Sequence, residues 1–187
     1  MLRLGVIGTG IMGVTIHFSG RLKHAGELVH VRAIAAKWAA HWQCEAVDFS
    51  APLVELIRVR KGQVVQYTSP VTGVSLRPHP GSETLLLEFD SDLEMQHFCK
   101  TQFAPAQVHV EIVEMLRELA PHFVDFAVQD EGGYWETGDR EHLEHQLALG
   151  LELIRRVRAN DGALIAPLLE EAISPRDMLK DPRFSQN

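Results

Sequence analysis

The stretch GTGIMGVTIHFSG, residues 8–20, decides the fold class of this 187-residue chain. Its second half alternates between apolar and polar side chains, with Val14, Ile16 and Phe18 set against Thr15 and His17. A period of two that includes β-branched residues is typical of a half-buried strand and not of a helix. We therefore predict a strand here that ends at Gly20.

The remainder of the chain predicts a mixture of helices and strands. Apolar residues recur at three- and four-residue spacing over 26–43, between Pro105 and Pro121, and from Arg140 to Ala159, which predicts three helices. Shorter runs predict strands over 53–60, 63–67, 71–76, 84–89 and 123–128. Because the strands cluster and do not alternate with helices, we expect an α+β fold. Its sheet should be mostly antiparallel or mixed, with helices packed on one face.

Local signals refine this outline. Ser50-Ala51-Pro52 indicates a break before the strand at 53–60, and Lys61-Gly62 indicates a turn after it. Asp90 is expected to cap a turn that leads from a strand into a helix. On the second helix, His109 is expected on the polar face, opposite the apolar stripe.

Composition is that of an ordinary globular protein, with 45% hydrophobic and 23% charged residues and a formal net charge of −7. This excludes a disordered or collagen-like chain, and makes the whole molecule a poor match for nucleic acid. Residues 1–80 carry nine Lys or Arg and four Asp or Glu, whereas residues 81–187 carry nine and twenty-one. Solvated acidic helix faces explain this asymmetry, and a basic protein partner for the C-terminal half is the alternative.

Cysteine usage and the lengths of the apolar runs give an expectation for localisation. Cys44 and Cys99 form no disulfide framework or C-x-x-C pair. No apolar run reaches the roughly 18 residues of a membrane span, and the apolar stretch before Gly8 is too short for a signal peptide. We therefore expect a cytoplasmic protein that contacts neither membrane nor nucleic acid.

The glycines near the N-terminus form a G-x-G-x-x-G pattern: Gly8, Gly10 and Gly13. This resembles the fingerprint of Rossmann-fold dehydrogenases, and the resemblance implies that these glycines bind NAD(P). That fingerprint also needs a helix directly after the glycines and an acidic residue about 20 residues further on. Residues 14–18 predict a strand, and Glu27 comes too early. We expect no cofactor, with NAD(P) as the alternative.

Four other stretches resemble a family of small uncharacterised bacterial proteins. They are MGVTIHFSG at 12–20, LLEFD at 86–90, KTQFAP at 100–105 and DEGGYWETGD at 130–139. The resemblance spans about residues 12–145, and it implies no activity and no catalytic residues. It implies that residues 1–11 are a leader. We expect one domain over 12–172 and a tail over 173–187.

The stretch at 130–139 is the most unusual in composition. Tyr134 and Trp135 would form an exposed platform with an acidic rim, suited to a basic or hydroxylated ligand. The rim residues are Asp130, Glu131, Glu136 and Asp139. Alternatively, Trp135 anchors the loop to the core, or one desolvated acid takes part in acid–base chemistry. Asp139 is also expected to cap the following helix.

A second polar site is expected at Arg77 and His79, in the rigid loop RPHPGS at 77–82. Lys100, Gln102 and His109 would complete a pocket there. His142 and His145, beside Glu141 and Glu144, suggest a metal site on one helical turn, and Asp90, Asp92 and Glu94 suggest a divalent-cation site. Neither spacing matches a defined metal motif, so we expect no metal.

These observations favour a non-catalytic binding or protein-interaction module, centred on the Tyr134–Trp135 loop and the acidic C-terminal half. The alternative is a small NAD(P)-dependent oxidoreductase, or a fragment of one, that uses the GTGIMG loop. A basic protein or a small ligand is the expected partner.

Overall fold

A computed structural model of the chain describes residues 13–158, so the predicted leader at 1–11 and tail at 173–187 lie outside it. The strands are β1 (Thr15–Leu22), β2 (Ala46–Arg60), β3 (Gln63–Leu76), β4 (Leu85–Phe89), β5 (Glu94–Lys100) and β6 (Phe123–Asp130). The helices are α1 (Glu27–Trp42), α2 (Ala106–Leu119), the short α3 (Tyr134–Thr137) and α4 (Arg140–Arg158). The predicted α+β class is confirmed, and its strands form two antiparallel three-stranded sheets.

The first sheet has the order β5-β1-β6. Both outer strands run antiparallel to β1, so β5 and β6 are parallel to each other and are joined through α2, as in a split βαβ unit. The predicted alternation of β1 is confirmed, because Ile16 and Phe18 are buried while Thr15 and His17 face outward.

Helix α1 packs against α2 and strand β3, and both helices contribute side chains to one core with this sheet. Val31 and Ala35 of α1 and Ile112 and Leu116 of α2 join Phe18 in one continuous core. Burial of each large aliphatic or aromatic side chain contributes about 1.5–3 kcal/mol. No helix within residues 13–158 is long and apolar enough to cross a membrane.

The second sheet has the order β2-β3-β4, and its first two strands are long. Strand β4 pairs only with residues 72–76 of β3, so β2 and β3 form a two-stranded hairpin over the rest of their length. The turn at Lys61-Gly62 is confirmed, with φ of 52° and 72°. The break predicted at Ser50-Ala51-Pro52 was wrong: the strand continues through it, with a register shift between Ala51 and Val54.

The turn after β4 also differs from the expectation. Asp90 caps a turn between two strands, not the start of a helix, because its Oδ1 accepts hydrogen bonds from the backbone N–H groups of Asp92 and Glu94 at 2.9 and 3.0 Å. The backbone N–H of Asp90 donates to the carbonyl of Glu94 at 3.1 Å. Strand β5 was missed because its outward-facing positions include an aromatic residue, Phe98, which blurs the alternation.

Strand β1 has no room for a side chain at Gly20, which lies near the end of the strand. A Cβ there would clash with the backbone oxygen of Asp125 and would lie 2.7 Å from the ring of Phe123. We expect Gly20→Ala to lower the free energy of unfolding by about 1–3 kcal/mol, since overpacking forces the strands apart. Urea denaturation measures this. Gly26→Ala is the control, because its Cβ meets only the His24 ring, at 3.0 Å; an equal loss in both variants would contradict the explanation.

Candidate functional site

The loop at 130–139 is organised by the carboxylate of Asp130 at the end of β6. Its Oδ1 accepts the backbone N–H of Gly132 at 2.7 Å, and its Oδ2 accepts that of Trp135 at 2.9 Å. The backbone N–H of Gly133 donates to the Asp130 carbonyl at 3.0 Å. The two glycines therefore wrap the chain around one buried carboxylate, and α3 begins directly after them.

Beneath this loop lies a buried polar triad of Thr101, His109 and Asp130. His109 Nδ1 lies 2.7 Å from the Thr101 hydroxyl, and His109 Nε2 lies 3.0 Å from Asp130 Oδ1. The expectation that His109 lies on the polar face of α2 was wrong, since the residue is fully buried. Burial of an imidazole is tolerated here because both ring nitrogens have partners.

Electrostatics hold this triad in place. Burial by itself would raise the pKa of the Asp130 carboxyl, but hydrogen bonds from His109, Trp135 and Gly132 outweigh it and hold the pKa below the usual 3.8. The arrangement resembles an acid–histidine–hydroxyl relay in connectivity. Thr101 and His109 have no solvent-accessible surface, however, so a substrate cannot reach them in this conformation.

The two aromatic residues of the loop are half-buried and pack against the core. Trp135 contacts Phe126 with ring centroids 6.4 Å apart. The Arg117 guanidinium lies 5.7 Å from the Tyr134 ring and 5.5 Å from the Trp135 ring, and Nη2 donates to the Trp135 carbonyl at 2.8 Å. A cation of the chain itself therefore occupies the position that the predicted platform would offer to a basic ligand.

The acidic residues of the loop have different roles. Glu131 accepts the backbone N–H of Thr15 at 2.9 Å and lies 3.6 Å from His17 Nε2. Asp139 caps α4, as predicted, by accepting the backbone N–H of His142 at 3.0 Å. Together with Glu136 it remains exposed. Contact with a basic partner would therefore rest on Glu136 and Asp139, since the other two acids hold the fold together.

The second predicted site, the polar pocket at Arg77 and His79, does not form as expected. Arg77 donates to the Pro80 carbonyl at 3.3 Å, and His79 Nδ1 accepts the backbone N–H of Gly81 at 2.9 Å, so both side chains bond within their own loop. Gln102 points inward, where it accepts from Val14 N–H at 2.7 Å and donates to the Leu147 carbonyl at 2.7 Å. Because Gln102 and His109 are both buried, the predicted pocket lacks two of its lining residues.

The nucleotide fingerprint does not have the context it needs. Gly8 and Gly10 lie outside the described residues, and Gly13 has a φ of 135° beside Lys100 and Gln102. The chain then enters β1, an antiparallel strand, where the fingerprint requires a helix.

The β2–β3 hairpin has an unusual distribution of side chains, with a buried arginine on one face and exposed apolar residues on the other. Its inner face carries Arg58, which is only 4% exposed. The guanidinium donates to the Gln96 carbonyl of β5 and lies 3.4 Å from Glu88 of β4, so it bridges the two strands. His97 Nε2 lies 3.2 Å from the same Glu88 oxygen. Burial and the neighbouring Arg58 lower the pKa of His97, which favours its neutral form.

Arg60 makes a second attachment of the same kind. Its Nη2 lies 2.6 Å from Glu94 and 3.3 Å from Asp90, and its guanidinium stacks 4.7 Å from the Tyr67 ring. Although partial burial opposes the charge, Glu94, Tyr67 and Asp90 together raise the pKa of Arg60. Burial and the hydrogen bond to Asp90 likewise raise the pKa of Tyr67.

Three apolar side chains on the opposite side of the hairpin from Arg58 are exposed to solvent. We define the outer hairpin face as Ile57, Val59 and Val64. These side chains are 67%, 53% and 57% exposed. Val59 pairs with Val64 across the hairpin, so the three lie together. The side-chain amide of Gln96 on β5 hydrogen-bonds to both the N–H and the carbonyl of Val59. Phe98 lies on the same face of β5 as Gln96 and is 54% exposed. The alternation of Arg58 and Arg60 with Ile57 and Val59 predicts a strand, but the pattern alone does not show which of the two sets is buried.

The structure describes both cysteines as free thiols, Cys44 half-buried and Cys99 buried. Burial raises the pKa of the Cys99 thiol to about 12, which keeps it protonated and unreactive. Across residues 13–158, no three His, Cys, Asp or Glu side chains converge as metal ligands.

The Asp130 carboxylate makes a pH-dependent contribution to stability. Because its pKa is lowered on folding, the stabilisation is present above the unfolded pKa of about 3.8 and is lost as the pH falls through the folded value. We expect Asp130→Asn to lower the free energy of unfolding by about 1.5–3 kcal/mol near pH 6, with the difference from wild type shrinking below about pH 4. Urea denaturation between pH 3 and 7 measures this.

Asp125→Asn is the matched control, because Asp125 is an exposed residue of the same strand. Its effect should be small at every pH. A pH-independent difference for Asp130→Asn would show that the carboxylate charge does not hold the loop.

Comparisons of the chain with protein-family models, with curated proteins and with solved structures found no match. The resemblance to a family of small bacterial proteins therefore stays a prediction.

Proposed function

We propose that this protein is a non-catalytic protein-binding module whose recognition surface is the outer hairpin face. The observation that carries this proposal is the burial of an arginine beside Leu56 on the inner face of the hairpin, while three apolar side chains of the outer face stay exposed. The hairpin buries Arg58 against the body of the molecule while Ile57, with 67% of its surface exposed, faces solvent.

Burial of the arginine is costly for an isolated chain. Desolvation of a guanidinium group is expensive, and a partly buried ion pair only offsets it when the hydrogen bonds are well formed. A shift of β2 by one residue would move each of its side chains to the opposite face, so that Ile57 and Val59 would be buried and Arg58 exposed. The contacts of Arg58 and Arg60 with β4 and β5 specify the observed register against that alternative.

An exposed apolar cluster of this kind is the usual mark of an interaction site. Single exposed apolar residues are common on monomers, whereas contiguous ones surrounded by polar residues are typical of protein interfaces. Glu55, Gln66 and Thr68 continue the same face and supply the polar surround. A hydrophobic centre with a polar rim is the common anatomy of such interfaces.

Site-specific photo-cross-linking tests the proposal. A benzophenone amino acid is placed at position 57 of the full chain in cells, and irradiation should join the chain covalently to a discrete protein. The control carries the same group at position 29, because Val29 is also 67% exposed but lies on α1. A discrete adduct from position 57 only is the expected result. The same adducts from both positions, or none from 57, would overturn the proposed recognition surface.

A further inference from the structure

We infer that the partner of the outer hairpin face is a second copy of this chain, an inference that rests on the proposed function. Its basis is the order of side chains along β2. Glu55, Ile57 and Val59 lie on one face because successive residues of a strand alternate, and Lys61 follows at the tip of the hairpin.

This order is self-complementary. Along β2 the side chains follow the order acid, apolar, apolar, base. In a second copy related by a two-fold axis, β2 runs in the opposite direction, so its side chains follow the reverse order. Ile57 then meets the partner copy's equivalent of Val59, and Glu55 meets the equivalent of Lys61. Both ends gain an opposite-charge pair around an apolar centre. The same patch serves on both subunits, as a closed two-fold dimer requires.

The contact is made by the face of the hairpin and not by its edge. The edge of β2 at Val59 is already occupied, because Gln96 Oε1 accepts its N–H at 2.7 Å and Gln96 Nε2 donates to its carbonyl at 3.2 Å. An added strand would have to displace this amide. Packing of the two hairpins face to face, about 10 Å apart, leaves the Gln96 bonds intact and covers the apolar side chains.

Sedimentation equilibrium of the purified full chain tests the inference. Wild type should dimerise, Ile57→Asp should be monomeric at the same concentrations, and Val29→Asp, the equally exposed control, should dimerise as wild type does. Circular dichroism and thermal melts confirm that each variant is folded. A wild-type chain that is monomeric throughout, or a dimer that Ile57→Asp leaves intact, would overturn the inference.

Charge reversal tests the antiparallel pairing itself. Glu55→Lys and Lys61→Glu should each weaken the dimer by about three- to tenfold, because each places like charges opposite one another at both ends. The double variant Glu55→Lys with Lys61→Glu should restore wild-type affinity. Three variants with equal affinity, or a double variant weaker than either single one, would contradict the pairing.

The outcomes separate this inference from the proposed function. If the chain is monomeric but position 57 cross-links to a different protein, the second-copy inference fails and the proposed recognition surface stands. If the chain is monomeric and position 57 gives no adduct, both fail. An adduct with the mass of two chains, together with charge-dependent dimerisation, supports both.

Discussion

The guanidinium of Arg58 is the constraint on which the rest of this structure depends. It lies between two strands that share no ladder of backbone hydrogen bonds, donating to the carbonyl of Gln96 on β5 and approaching Glu88 on β4. A charge in such a place is stable only with its partners present, since a lone buried guanidinium would be strongly destabilising. The contact therefore joins the two sheets and determines which side of the hairpin faces solvent.

The two ends of the molecule use buried charge for different purposes. Arg58 and Arg60 orient a long two-stranded element whose other face is apolar, and so create a surface. Asp130 folds a glycine-containing loop over the end of β6 and closes off the triad with His109 and Thr101. The arrangement at the hairpin leaves apolar side chains exposed, whereas the one at the loop leaves the hydroxyl of Thr101 and the imidazole of His109 inaccessible to solvent. The contrast supports the proposal that the hairpin serves recognition and that the loop has a structural role.

Local patterns in the sequence were sufficient for much of the fold. The alternation of Val14, Ile16 and Phe18 identified β1 and distinguished it from the helix that a nucleotide fingerprint needs. Spacing also identified three helices, and Asp139 was correctly expected to cap α4. These features depend on residues close together in the chain, where propensity and periodicity are informative.

The predictions that were wrong concern residues whose partners are far away along the chain. His109 looks like a polar-face residue because its partners are distant: Thr101 lies 8 residues before it and Asp130 lies 21 residues after it. The three meet only where α2 lies beside the ends of β5 and β6. The inward face of the hairpin could not be assigned, because burial of an arginine needs Glu88 and Gln96 from strands 30 and 38 residues away. Strand β5 was hidden by an aromatic residue on its solvent-facing side.

The orientation of the hairpin is open to direct measurement by thiol labelling. Leu56→Cys and Ile57→Cys, each made in a Cys44→Ala background, place a thiol on the inner and the outer side of the same strand. In dilute, monomeric protein the thiol at position 57 should react at close to the rate of an unfolded chain. The thiol at position 56 should react only as fast as the hairpin opens. Equal rates, or faster reaction at position 56, would contradict the orientation of the hairpin that buries Arg58 and exposes Ile57.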